Sequence, residues 1–276
     1  KIYTSISFID IAGLVKGASS GEGLGNKFLS HIREVDAIIH MLRCFDSEKI
    51  QNVNKNVDPL RDLEIIDTEI KLADIQSIEK RLDKTNRKKN DDIINEILEA
   101  ALNLINNDKK IEALFENYSE SELKLTGLLS LKPKLYVCNV DEKSILMGNK
   151  YTNKFKSIYG EDKTVIISAE IENQINQLED KEKYDFMKML NIKDTGLNNL
   201  VKKGYNLLNI ETFFTSGPEE TRAWTIKKNS LAPKAAGEIH SDFEKGFIRA
   251  ETVSYDDFVH LNGWVNSKEK GKMRLE

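Results

Sequence analysis

An α/β protein with a mostly parallel sheet is the fold class this sequence predicts, with a helical insertion and a small strand-rich module at its carboxy-terminal end. Three observations predict it. Residues 5–43 run from a β-rich stretch through a glycine-rich loop and a helical stretch into a second apolar run. That is a βαβ unit, and such units build parallel sheets. Residues 60–105 repeat apolar side chains at three- and four-residue spacing, the period of amphipathic helices. From Asn209 onward the chain breaks into short runs and turns. With 276 residues, of which 39% are hydrophobic, it is long enough for two or three domains and a substantial core.

The first strand is expected at Ser5–Ile9, and it leads into Phe8-Ile9-Asp10-Ile11-Ala12-Gly13-Leu14. An apolar run that ends in aspartate, followed three residues later by glycine, is the D-x-x-G element of phosphate-sensing switches. Asp10 at a strand tip can hold the Mg²⁺ of a nucleotide, usually through water. Gly13 has no Cβ, so its N–H can approach a γ-phosphate closely. Four residues alone are equally a strand running into a glycine-rich turn. Gly17, Gly21, Gly23 and Gly25 then make a loop that can order around a phosphate and collapse without it. No G-x-x-x-x-G-K-[ST] occurs in the chain. A helix is expected over Asn26–Glu34 and a buried strand over Asp36–Arg43, in which His40 reads as a satisfied core histidine.

Asp58-Pro59 starts a helix, with Asp as N-cap and Pro at the first helical position. Its stripe is Leu63, Ile66, Ile70 and Ala73, then Ile75, Ile78 and Leu82. After a polar, basic break at residues 84–92, a second stripe follows with Ile94, Ile97, Leu98, Ala101, Leu102 and Ile105. Pattern alone allows either an antiparallel coiled-coil arm or two helices packed on the domain. The basic turn at Arg87, Lys88 and Lys89 is either an RNA-backbone contact or a solvated turn.

Ser119 to Glu122 is a capping box opening another helix. Lys134–Cys138 is the next core strand and delivers Asn139-Val140-Asp141-Glu142. In GTPases a strand here ends in N-K-x-D, whose aspartate takes two hydrogen bonds from guanine that adenine does not offer. Here valine replaces lysine, and Glu142 carries its carboxylate one methylene further out. Losing matched hydrogen bonds of this kind forfeits discrimination of roughly 10³-fold or more. Thr164–Ile167 is a further strand, ending in Ser168-Ala169-Glu170, and helices are expected at residues 180–190 and 196–208. Short strands and turns follow, at Ile210–Phe214 and Ala223–Ile226 and through the stretch Ala235–Ala250.

The string D-I-A-G-L-V-K-G-A-S-S-G-E-G-L-G-N-K-F-L, the strand-terminal N-x-x-E and the stretch Ala235–Ala250 together resemble the YchF / Obg-like ATPase family, a branch of the translation-factor-related GTPases. The resemblance runs from Phe8 to Glu276 and is weakest in the helical insertion. It implies a P-loop NTPase (G) domain at 1–59 and 131–208 lacking its P-loop strand, a helical or coiled-coil insertion at 60–130, and a β-grasp TGS domain at 209–276 lacking its last strands. It implies binding and hydrolysis of ATP with Mg²⁺, GTP being used less well, and association with the ribosome or ribosomal RNA. A non-hydrolysing, nucleotide-gated ribosome- or RNA-binding module is the alternative.

Carried onto this chain, the resemblance puts catalysis on Asp10, Gly13 and Asn52, with Asp10 also on the metal. It puts nucleotide binding on Asn139, Val140, Glu142, Ser168, Ala169 and Glu170, with the S-A-x amides closing over the base. Leu14 stands where Ras-like proteins place a water-orienting glutamine, and leucine cannot polarise water. Asn52 stands where many members carry histidine.

The remaining expectations are exclusions. A net charge of −4 gives no global reason to expect nucleic acid, and no DNA partner is expected. No apolar run approaches 18 residues, so no membrane segment is expected. Cys44 and Cys138 lie in apolar runs and read as buried free thiols of a cytoplasmic protein. A monomer is expected.

Overall fold

The computed structural model describes residues 1–11, 24–48, 56–85 and 92–276, which fall into two compact units, Ser7–Leu208 and Lys1–Ile6 with Asn209–Glu276. In the larger unit, helix α1 (Leu24–Glu34) leads to strand β1 (Ile38–Arg43). Helices α2 (Pro59–Thr85), α3 (Asp92–Asn106) and α4 (Glu120–Thr126) precede β2 (Lys134–Asn139). Helix α5 (Lys150–Tyr159) connects β2 to β3 (Thr164–Ile167), and α6 (Ala169–Gln177), α7 (Asp180–Met189) and α8 (Gly196–Leu207) complete the unit.

The three strands are parallel in the order β1-β2-β3, with Leu42 beside Cys138 and Cys138 beside Ile166. Helices cover both faces of β2, which is why Leu135-Tyr136-Val137-Cys138 is a continuous apolar run rather than an alternating one. Tyr136, Cys138 and Val140 pack with Leu42 and Cys44, against Leu63 of α2 and Phe155 of α5. Leu135 and Val137 point the other way and pack with Val165, Ile167 and Leu200 of α8.

Helix α2 is the spine of this unit. Asp58 caps it by accepting the N–H of Arg61 at 3.2 Å, as the Asp-Pro start predicts. At 27 residues it is about 40 Å long, and it serves three cores in turn. Leu63 faces the sheet; Ile70 and Ala73 pack with Leu29 and Ile32 of α1; Ile78 packs with α3. The two-residue step from Ala73 to Ile75 turns the apolar stripe toward a new partner. There Ile97, Leu98 and Ala101 of α3 close a core with Ile111 and Leu114 of a 3₁₀ turn and Leu123 of α4. The insertion thus encloses its own core, and α3 is covered by more than its partner in the hairpin. The basic turn Arg87–Lys89 lies outside the described residues. Ser119 forms the expected capping box with Glu122, and Gly127 closes α4 at φ 67°, the left-handed conformation glycine adopts without penalty.

The smaller unit has an antiparallel ribbon, β4 (Ile210–Ser216) with β5 (Thr221–Lys227), in which Phe213 faces Trp224. Helices α9 (Ala232–Ile239) and α10 (Ser241–Lys245) follow, so the stretch Ala235–Ala250 is mainly helical where short strands and turns are expected. Close contact explains it: a Cβ at Gly237 would stand 2.6 Å from the Glu244 side chain, so glycine lets α10 fold back on α9. Strand β6 (Glu251–Thr252) pairs with β7 (Arg274–Leu275) around α11 (Tyr255–His260) and α12 (Trp264–Glu269).

The strand expected at Ser5–Ile9 does not form. The amino-terminal residues instead bridge β5: Ile2 N–H donates to the Thr221 carbonyl at 2.9 Å, and Ala223 N–H donates to the Ile2 carbonyl at 2.9 Å. A run becomes a strand only where a neighbour satisfies its backbone, and no described strand pairs with residues 5–9.

Candidate functional site

Three strands of a parallel sheet end side by side, and such carboxyl ends are where α/β folds place ligands. Here the ends are laced together. Cys44 N–H after β1 donates to the Asn139 carbonyl at 2.8 Å, and Val140 N–H donates to the Ile167 carbonyl of β3 at 2.8 Å. The Asn139 side chain continues the lacing: its Oδ1 accepts the Ala169 N–H at 3.0 Å. Its Nδ2 keeps two donors. Ser168 is fully buried and caps α6, its Oγ accepting from the Ile171 N–H.

Val140 faces inward. It is 3% exposed within the Leu42, Cys44, Leu63 and Phe155 cluster, so its side chain offers nothing to a base. Asp141 accepts the Ser144 N–H at 3.2 Å and so caps the 3₁₀ turn Glu142–Ser144. Glu142 is exposed, and its Oε1 accepts from Gln174 Nε2 at 3.3 Å. Glu170 is exposed in the first turn of α6, where the helix dipole favours an acid. Its neighbour Glu172 is committed elsewhere, accepting the Gly196 N–H at 2.7 Å and so tying α6 to the start of α8.

The loop after β1 is clamped onto α5. Asn149 Nδ2 donates to the Cys44 carbonyl at 2.6 Å, and the Tyr151 hydroxyl donates to Asp46 Oδ1 at 2.7 Å. That hydroxyl, with the Lys150 ammonium, holds the Asp46 carboxyl below its usual range.

The structure thus brings together Asn139, Val140, Glu142, Ser168, Ala169 and Glu170. Asp10 is exposed beside Ile11, which packs against the α1–α2 cluster, and no described contact ties it to the strand ends. Gly13, Leu14 and Asn52 lie outside the described residues. Sequence reasoning missed Gln174 and Asn149; the one available signal for Gln174 is its i+4 spacing from Glu170, which puts both on one face of α6.

Two other expectations resolve here. Cys44 and Cys138 are free and buried, and their mutual hydrogen bond together with burial pushes the Cys44 thiol up. His40 is in the core, 5% exposed and stacked on Tyr136, but it is not satisfied: its Nε2 has no hydrogen-bond partner among the described residues. Burial lowers its pKa to about 4, the nearby Asp67 carboxylate opposing the shift and Lys134 reinforcing it. At neutral pH the ring is therefore an uncharged imidazole stacked in the core on Tyr136.

Parallel sheet, laced strand ends and an asparagine-acid loop are those of an α/β domain of the P-loop GTPase type, the class that the comparisons support. A family model described as 50S ribosome-binding GTPase matches residues 1–65, and the model YchF-GTPase_C, described as a protein of unknown function, matches residues 210–276. The chain is 46% identical to the ribosome-binding ATPase YchF of Haemophilus ducreyi, across 99% of this chain and 77% of that protein. It is 44% identical to the ribosome-binding ATPase YchF of Bacillus subtilis, across 100% of this chain and 78% of that one. The solved structure of the Schizosaccharomyces pombe YchF GTPase matches with a TM-score of 0.80 at 34% identity, over 96% of this chain and 75% of that chain. The chain belongs to the YchF family.

Among the described residues, no helix is long and apolar enough to cross a membrane.

Proposed function

We propose that this protein is an ATP-preferring nucleoside triphosphatase whose nucleotide state controls its association with the ribosome. The observation that carries the base preference is the loop after β2. Asn139 is held against the Ala169 N–H, Val140 is in the core, and Glu142 is the acid exposed toward solvent. A carboxylate displaced by one methylene no longer meets both guanine N–H donors, while it still accepts from an adenine amino group. The relatives' names, ribosome-binding ATPase, support both the hydrolysis and the partner.

The donor set suits Mg²⁺. This ion is held by one or two carboxylates together with substrate phosphates and waters, rather than by an all-protein cage. An exposed Asp10 meets that need, and among the described residues no group of three potential ligands competes for it. Bound there, the ion would neutralise charge on the nucleotide's β- and γ-oxygens. Asp10 would hold that ion; by the family resemblance Gly13 would offer its N–H to the γ-phosphate and Asn52 would position water without acting as a base.

The test is the ratio of ATP to GTP affinity in the wild-type protein and in Glu142→Asp, alone and combined with Val140→Lys. The shorter acid should move the ratio toward GTP. A ratio unchanged in both variants refutes the assignment of the base site.

A further inference from the structure

The loop that selects the base does not hold its own selecting group. Asn139 is locked by Ala169, Val140 by the core and Asp141 by its cap on Ser144. Glu142, at the first position of a three-residue 3₁₀ turn, is left with a flexible side chain in solvent. Its one described side-chain contact comes from another element: the Gln174 amide of α6, donating through Nε2 to Oε1 at 3.3 Å. Helix α6 is itself fixed at this edge, capped by buried Ser168 and packed through Ile171 and Ile175. Gln174 therefore projects from a rigid platform, one turn beyond Glu170 on the same face.

We propose that Gln174 is the positioning residue that sets nucleotide-base preference, by pinning the Glu142 carboxylate in the orientation that meets an adenine amino group. The inference rests on the reading of the Asn139–Glu142 loop as the base site. An amide suits this part chemically. Its NH₂ donates to one carboxylate oxygen without neutralising it, and so leaves the other oxygen acceptor-only. An acceptor-only oxygen takes a hydrogen bond from the exocyclic amino group of adenine, and holding it in one orientation keeps it from swinging to meet the two guanine donors that the shorter acid of N-K-x-D meets together. Without the amide, Glu142 must be ordered by the nucleotide at each binding event, and immobilising one such side chain costs about two- to tenfold in affinity.

The experiment measures dissociation constants for ATP and for GTP in the wild-type protein, Gln174→Ala, Gln174→Glu and Glu142→Ala, across pH 5.5–8. Gln174→Ala should lower the ATP:GTP affinity ratio by about two- to tenfold, chiefly through weaker ATP binding. Gln174→Glu sets a second carboxylate against Glu142, with Glu170 a turn away, and like charges push one group's titration upward. Its ratio should be lowest at pH 8 and recover as pH falls and the pair shares a proton. The wild-type ratio should be flat over that range, and a merely structural role for Gln174 would produce no such profile. If both Gln174 variants keep the wild-type ratio while Glu142→Ala changes it, the positioning role is wrong. If Glu142→Ala also leaves the ratio unchanged, the base-site reading fails and takes this inference with it.

Discussion

Asp74 offers the most quantitative test of how this fold carries its site. It sits in the middle of α2 with 2% exposure, and its two oxygens accept the backbone N–H groups of Leu129 at 2.9 Å and Ser130 at 2.8 Å. Those residues lead directly into β2, at whose far end Asn139 stands. Asp74→Ala strands two buried N–H donors, at about 1–3 kcal/mol each. Part of that loss is returned, because a buried carboxylate is itself costly; burial holds the Asp74 pKa above its ordinary value against the pull of the two N–H bonds. The net expectation is a loss of about 2–4 kcal/mol, a large fraction of the ~5–15 kcal/mol typical of a domain. Asp74→Asn keeps one acceptor and turns an NH₂ toward the other donor, so it should cost about half as much. Urea unfolding followed by far-UV circular dichroism reads both values, and hydrogen exchange at the Leu129 and Ser130 amides localises the effect. A raised folded-state pKa means that stability is highest below the ordinary carboxyl range and is lost as pH rises through the folded value. Asp74→Ala should remove that component. A loss under ~0.5 kcal/mol for Asp74→Ala, or equal losses for Ala and Asn, would refute the two-bond account.

Four further outcomes are expected. His40 titrates near 4 folded against 6.5 unfolded, so the unfolded chain binds the extra proton between those values. Stability should therefore fall by about 2 kcal/mol from pH 7.5 to pH 5, and His40→Phe, which keeps the stack on Tyr136, should abolish that slope in urea melts. Val140→Lys alone should destabilise by about 2–3 kcal/mol through lost burial, yet leave the ATP:GTP affinity ratio unchanged; a shifted ratio would mean the side chain reaches the base. Asp10→Ala should weaken magnesium-dependent nucleotide binding, whereas Asn52→His should raise the single-turnover ATPase rate at constant ATP affinity, within the roughly 10²–10⁴-fold range of a placed base. A flat or lower rate would move the water-organising role away from position 52.

Much of the architecture was legible in the chain because its signals are local. An aspartate before proline, a serine three residues before glutamate and a four-residue β-branched run before Ser168 each act within one turn or one strand. Helix α2, the α4 capping box and β3 accordingly stand where the sequence puts them. The N-x-x-E loop was legible for the same reason, since the strand that delivers it is a continuous apolar run buried on both faces. Tertiary structure alone decided the rest. Whether Ser5–Ile9 becomes a strand depends on which edge is available to pair with it, and that edge lies far away in sequence. Val140 is a core residue because α2 and α5 cover its face, which no tetrapeptide can reveal. Among the described residues His40 Nε2 lacks a hydrogen-bond partner, because its neighbours Tyr136 and Asp67 arrive from other elements and leave it unmatched. Gln174 meets Glu142 across 32 residues of chain, through the crossover that brings α6 beside the end of β2. Hydrogen bonds within a turn are written by spacing, whereas contacts across a sheet edge exist only once the strands have chosen their neighbours.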